Sequence, residues 1–268
     1  MSQEIETIPD IEKTSVPWTG LDVLLFLALW FATLFVCSAV AGNTAPQTES
    51  QRQTAADGES YLHPIAQLVG QNNNSPIVLL VALLAAVVIA PLVEEFLFRL
   101  LLQGWLEAKL TQFQVPCASG VAIATVSFFF AAIHGGNGVV MDIQVLFYTL
   151  VALATANLLI FTSGILYLVR RRSVQITHYL FGTSRFFCPR FFINAGYCLL
   201  ALLLIYGLSA VLGRAYPTTN TDPIPILFLS LLLGTLYSKT QNLSYCLLLH
   251  ACVNGISLML VWLSALSS

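Results

Sequence analysis

Long apolar runs alternate with short polar ones along the chain, and this alternation predicts its elements before any single residue is weighed. Apolar runs lie at Leu21 to Ala41, Ile77 to about Leu106, Cys117 to Ile133, Ile143 to Val169, Phe191 to Leu212, Pro225 to Tyr237 and Leu243 to Leu263. Spanning a bilayer core takes about 20 apolar residues at a rise of about 1.5 Å each, so these runs predict membrane-spanning helices, the sixth of them short. The polar stretches between them are the connections. Residues 1–20 carry Glu4, Glu6, Asp10 and Glu12 against a single Lys13 and include Pro9 and Pro17, which makes them a tail. Residues 42–75 form a polar loop, Thr111 to Pro116 a short turn, and Gly135, Gly136 and Gly138 end the third helix. The expected fold is therefore all-α, a polytopic transmembrane bundle of about seven spans in one domain over residues 21–268. No internal repeat is visible.

The first run ends in Ala39-Val40-Ala41, which imitates a signal-peptidase site. A signal peptide begins with a short basic leader, whereas this leader is long and acidic, so the run is expected to stay as the first span.

Composition narrows the class. With 57% hydrophobic and 9% charged residues and a mean hydropathy of +0.81, the chain falls outside the soluble globular range, where roughly 25% of residues are charged. A net charge of -2 and the lack of a basic face interleaved with aromatics argue against a nucleic-acid partner. The partners implied are the lipid bilayer and a peptide or protein that meets it. The cysteines at 37, 117, 188, 198, 246 and 252 lie almost wholly in apolar runs without CxxC spacing, and read as small packing residues rather than disulfides or a metal site.

Charge then orients the bundle. With seven spans, one side holds Lys13, Lys109, Arg170, Arg171, Arg172, Arg185, Arg190 and Lys239, and the other only Arg52 and Arg214. Loops rich in Lys and Arg stay in the cytoplasm, which predicts a cytoplasmic N-terminus and an external C-terminus. The arginine loop itself reads as a topology anchor, with contact to anionic lipid as the sharper option.

Candidate chemistry interrupts the second run, where Glu94, Glu95 and Arg99 fall within six residues. Ionisable groups in hydrocarbon are costly and mark function or a built ion pair. On a helix Glu95 and Arg99 share a face, while Glu94 points about 100° away from Glu95 and has no local counter-ion. His134 and Glu94 each lie about 20 residues from the turn near Gln114, so an antiparallel hairpin brings them to similar depth. In the last run His250 and Asn254 are four apart, which puts an imidazole and a carboxamide on one face.

This set suffices for water-mediated amide hydrolysis. Glu94 paired with His134 can take a proton from water. His250 and Asn254 can donate to a tetrahedral oxyanion from one rigid face. Divalent-metal ligation, zinc for example, by Glu94, Glu95, His134 and His250 is the other reading, since imidazole and carboxylate suit zinc. No HExxH occurs, so that reading rests on residue type.

Glu94-Glu95-x-x-x-Arg99, Phe130-x-x-x-His134 and His250-x-x-x-Asn254, with Gly234 to Thr240 leading into the last, resemble the three-motif pattern of the CAAX-protease and bacteriocin-processing family of intramembrane endopeptidases, which includes the eukaryotic Ras-converting enzyme. The resemblance covers about residues 77–137 and 224–260. It implies Glu94 and His134 as the water-activating pair, His250 and Asn254 as the oxyanion-stabilising pair, and Glu95, Arg99 and Phe130 as their support. It leaves metal dependence open, since the family has been described both ways. One departure stands out: His134 and His250 are 116 residues apart, where the family passes between these motifs in a few tens. An inserted helix pair within residues 138–222, with the arginine loop between its members, would account for the excess and preserve the core topology.

Three function classes follow. The leading one is an intramembrane endopeptidase that cleaves a membrane-associated or CAAX-like peptide near the cytoplasmic face. The others are a non-enzymatic scaffold or immunity-type protein, and a proton-coupled transporter built on the same Glu and His residues. Paired interrupted helices or repeat symmetry, which would favour the transporter, are not evident in the sequence.

Overall fold

In the computed structural model, residues 16–44, 68, 75–134, 143–172, 176–181 and 223–267 are described. Every regular element among them is helical: α1 Gly20–Thr44, α2 Pro76–Gln112, α3 Ala118–His134, α4 Ile143–Arg172, α5 Ile176–Phe181, α6 Pro223–Thr240 and α7 Leu243–Ser267. Four of these helices (α1, α2, α4 and α7) are long and apolar enough to cross a membrane, and α3 and α6 are shorter apolar helices. The chain is an integral membrane protein with an all-α bundle. The expected fifth span at 191–212, the arginines at 185 and 190, the glycines at 135, 136 and 138, most of the 42–75 loop and residues 1–15 of the tail lie outside the described residues.

Helix α2 is the axis of the bundle and is not uniform. Ser75 caps its start, accepting from the Val78 N–H, and Pro76 opens its first turn, where a missing N–H costs nothing. A proline in the interior is different, because it removes one ladder bond and crowds the carbonyl one turn back. Pro91 is such a residue. The chain answers it upstream, where Leu84–Ile89 widens into π-helical turns and the Ala90 N–H bonds the Ala85 carbonyl five residues back. A second π-helical stretch, Glu95–Gln103, follows the short α-helical segment Ala90–Glu94. The helix then runs on to Gln112, past the expected end near Leu106, before a turn in which Gln114 and Cys117 both have φ of 55°.

A polar ladder joins α2 to α6, and its last rung holds the extension past Leu106. Arg99 Nη2 donates to Ser230 Oγ (2.7 Å), Gln103 Nε2 to the Gly234 carbonyl (2.9 Å), and Ser238 Oγ to Glu107 Oε1 (3.2 Å). Each rung joins residues 131 apart in sequence, so the two helices run parallel and in register. Glu107 also accepts from Ser119 at the start of α3, which closes the hairpin. Gly234 is required for this approach: a Cβ there would sit 3.0 Å from Gln103 Oε1 and 3.0 Å from Ile123 Cγ2.

At the same end, the carboxylate of Asp22 on α1 accepts from Arg172 (2.8 Å) and Tyr167 (2.7 Å) of α4. Trp18 packs edge-on to Tyr179 of α5 at 5.3 Å, and Ser244 at the start of α7 donates to the Leu180 carbonyl. Thus the entry to α1, the α2–α3 turn, the end of α4 and the α6–α7 turn gather at one end of the bundle. The interior mixes aliphatic side chains with aromatic ones, and Trp18, Phe26, Trp30, Phe96, Phe98 and Phe130 are all buried. Leu24, Phe35, Leu80, Phe128 and Leu159 stand exposed, as expected of a surface solvated by lipid tails.

Candidate active site

Three helices place the chemistry. The α2–α3 hairpin brings His134, the last residue of α3, across from Glu94, with His134 Nε2 3.8 Å from Glu94 Oε1. Helix α7 packs antiparallel to α2 and inserts His250 from the other side, with Nε2 3.6 Å from Glu94 Oε2. The two oxygens of one carboxylate are therefore each faced by an imidazole. Glu94 and His134 keep side-chain exposures of 14% and 29%, whereas His250 is at 5%, so the site opens on the Glu94–His134 side.

The second nitrogen of each ring is already engaged, which sets the tautomers. His134 Nδ1 lies 2.7 Å from the Phe130 carbonyl, an acceptor only, so Nδ1 carries the hydrogen. His250 Nδ1 lies 2.8 Å from Glu95 Oε1 and donates to it. Both rings thus direct Nε2, the nitrogen with freedom to accept or donate, at Glu94.

Glu95 and Arg99 are fully buried and paired at 3.2 Å, as their spacing on one helix face predicts. The carboxylate also does something that the spacing does not predict. Its other oxygen orients His250, so Glu95 links the guanidinium to the imidazole rather than serving Arg99 alone. A carboxylate behind a histidine fixes the ring orientation and its tautomer.

Phe130, 1% exposed, forms the wall common to these groups. Its ring centroid is 4.4 Å from that of His134 and 6.1 Å from that of His250, and Arg99 Cζ lies 5.5 Å from it. Asn254, one turn beyond His250 on α7, gives its side-chain N–H to the Ala86 carbonyl at 2.8 Å.

Of the alternative metal set, Glu94, His134 and His250 meet around one carboxylate, and Glu95 stands behind His250. Both oxygens of Glu95 are committed to protein partners, and among the described residues no group of three or more His, Cys, Asp or Glu is arranged to hold a metal ion.

Ser230, Gln103 and Glu107 support the site and were missed in the sequence reading. Their signal was legible: Glu95, Arg99, Gln103 and Glu107 recur every four residues on α2, and Ser230, Gly234 and Ser238, all small, recur every four on α6. Small residues at that spacing are how membrane helices approach closely.

No curated protein and no solved structure matches the chain. Residues 76–173 match the family model described as type II CAAX prenyl endopeptidase Rce1-like. The match takes in α2, α3 and α4, and so Glu94, Glu95, Arg99, Phe130 and His134, but not the α7 residues His250 and Asn254. Over residues 76–173 the chain is similar to the Rce1-like, CAAX-type membrane proteases.

Proposed function

We propose that the protein is an intramembrane endopeptidase in which Glu94 and His134 activate a water molecule against a peptide bond. The observation that supports this reading is the pair of imidazole Nε2 atoms on the two oxygens of Glu94, at 3.8 and 3.6 Å. A gap of 3.8 Å admits a water within about 2.8 Å of both Glu94 and His134, so one hydrogen can point to the carboxylate and the other to Nε2. Attack of the water oxygen on the scissile carbonyl transfers its proton to Glu94. The carbonyl oxygen becomes an oxyanion, which His250 meets with an Nε2 hydrogen when the ring carries hydrogens on both nitrogens, Nδ1 donating to Glu95. Collapse of the tetrahedral intermediate breaks the C–N bond, and the proton held at Glu94 passes to the leaving amine. Asn254, expected beside His250 as a second donor, gives one N–H to the Ala86 carbonyl and keeps its second N–H for the oxyanion.

The substrate in this reading is a membrane-associated, CAAX-like peptide, which follows from the family match alone. The end of the bundle that gathers Asp22, Arg172 and Lys239 is assigned to the cytoplasm on the asymmetry of Lys and Arg between the two sides. Purified protein reconstituted in liposomes and given a library of such peptides, with and without chelator, tests the reading. Cleavage that survives the chelator is the expected result. Cleavage lost with chelator and restored by added metal would overturn the mechanism, and no cleavage of any peptide would overturn the function.

A further inference from the structure

We propose that Asn254 is a positioning residue that holds the Pro91 bulge of α2 and, through it, the carboxylate of Glu94. The register of α2 creates the need. In the widened turn the Ala90 N–H bonds Ala85, not Ala86. In the same five-residue register the Ala86 carbonyl would be served by the N–H of residue 91, but that residue is proline and has none. The Ala86 carbonyl thus loses both its four-residue and its five-residue donor inside a membrane, where an unpaired carbonyl is costly.

Asn254 supplies the missing donor, with Nδ2 2.8 Å from that oxygen. It lies four residues beyond His250, so one face of α7 docks on α2 at two points, His250 on Glu95 and Asn254 on the bulge. Glu94 lies between these points in the chain and ends the short α-helical segment Ala90–Glu94 that separates the two π-helical stretches. Its direction depends on how those stretches are phased, and the bond to Ala86 locks the first of them. This deepens the proposed function, on which it rests only for the activity measurement.

Two readings of Asn254 predict different couplings. If it clamps the bulge, Pro91→Ala removes the need, because the new N–H reaches Ala86 in the five-residue register, and a return to regular α-helix frees the Ala90 N–H for it. Asn254→Ala is expected to lower the detergent-solubilised Tm by about 4 °C with Pro91 present. In the Pro91→Ala background that loss should fall to about 1 °C or less, the signature of coupled sites.

A spectroscopic measurement stands beside it in case Pro91→Ala alone fails to fold. Labelling alanine carbonyls with ¹³C and valine nitrogens with ¹⁵N isolates three peptide units, Ala39-Val40, Ala86-Val87 and Ala210-Val211. Asn254→Ala should shift the Ala86 carbonyl resonance and leave the other two in place, and Asn254→Gln should restore it in part. On peptide cleavage, Asn254→Ala should lower kcat with little change in KM, and Pro91→Ala should relieve part of that loss wherever it folds. Equal Tm losses in both backgrounds, or an Ala86 carbonyl resonance that Asn254→Ala does not move, would overturn the clamp. Both stability and spectroscopic results stand without any cleavage, so the proposal can fail separately from the protease reading.

Discussion

Glu94 and Glu95 are neighbours with the same side chain, and what separates them is what each oxygen meets. Glu95 is enclosed between Arg99 and His250 with no exposure, while Glu94 has an imidazole at each oxygen and keeps an opening. Arg99→Ala should therefore act on stability, because it leaves Glu95 short of its cation and removes the tie to Ser230. Losing one partner of a buried pair costs about 3–5 kcal/mol, or about 10 °C in Tm for a chain of this size. Arg99→Lys keeps the charge but cannot reach both partners at once, and should fall between. Thermal unfolding in detergent checks both, and an Arg99→Ala protein as stable as the parent would count against the pair. The pairing of Glu95 with Arg99 was legible because a four-residue spacing fixes a shared helix face. The Glu95–His250 bond was not, because nothing local to α2 tells which residue of a helix 155 positions later will meet it.

At the scale of elements, α2 departs from ideal geometry in a way that its polar stripe explains. A regular α-helix advances about 40° for every four residues, so Glu95, Arg99, Gln103 and Glu107 would wind off any one partner. The π-helical stretch Glu95–Gln103 drifts the other way and keeps Arg99, Gln103 and Glu107 facing Ser230, Gly234 and Ser238. Apolar periodicity predicted that α2 exists but could not predict this change of register, which arises from Pro91 and from the fit to α6. Gly234→Ala tests the fit, since its Cβ would press on Gln103 and on Ile123, a β-branched residue with little freedom to yield. A loss of about 1–2 kcal/mol is expected for alanine, and failure to assemble for Gly234→Leu. Size-exclusion chromatography with thermal unfolding distinguishes these from the alternative, in which both variants behave as the parent.

Among the described helices, the directions agree with those expected from the runs. The hairpin count around Gln114 works because α2 and α3 are joined by a tight turn, so equal distances along the two helices become equal depth in the bundle. Charge asymmetry placed the entry to α1, the α2–α3 turn, the end of α4 and the α6–α7 turn together, and contacts between Asp22 and Arg172 and between Glu107, Ser119 and Ser238 place them at one end. Single cysteines introduced at Arg172 and Leu266 in a cysteine-free background should label from opposite sides, with Arg172→Cys protected in intact cells. Labelling of both from outside would contradict the orientation.

The central claim is that Glu94 takes the proton from the attacking water, and cleavage by Glu94→Gln tests it most directly. Glutamine keeps the shape and the hydrogen bonds but not the base. In liposomes, with a peptide that the parent protein cleaves, Glu94→Gln should bind the peptide with similar affinity, unfold within about 2 °C of the parent and show a cleavage rate lower by at least about 10³-fold. A Glu94→Gln protein that cleaves the same peptide at the parent rate would contradict the account.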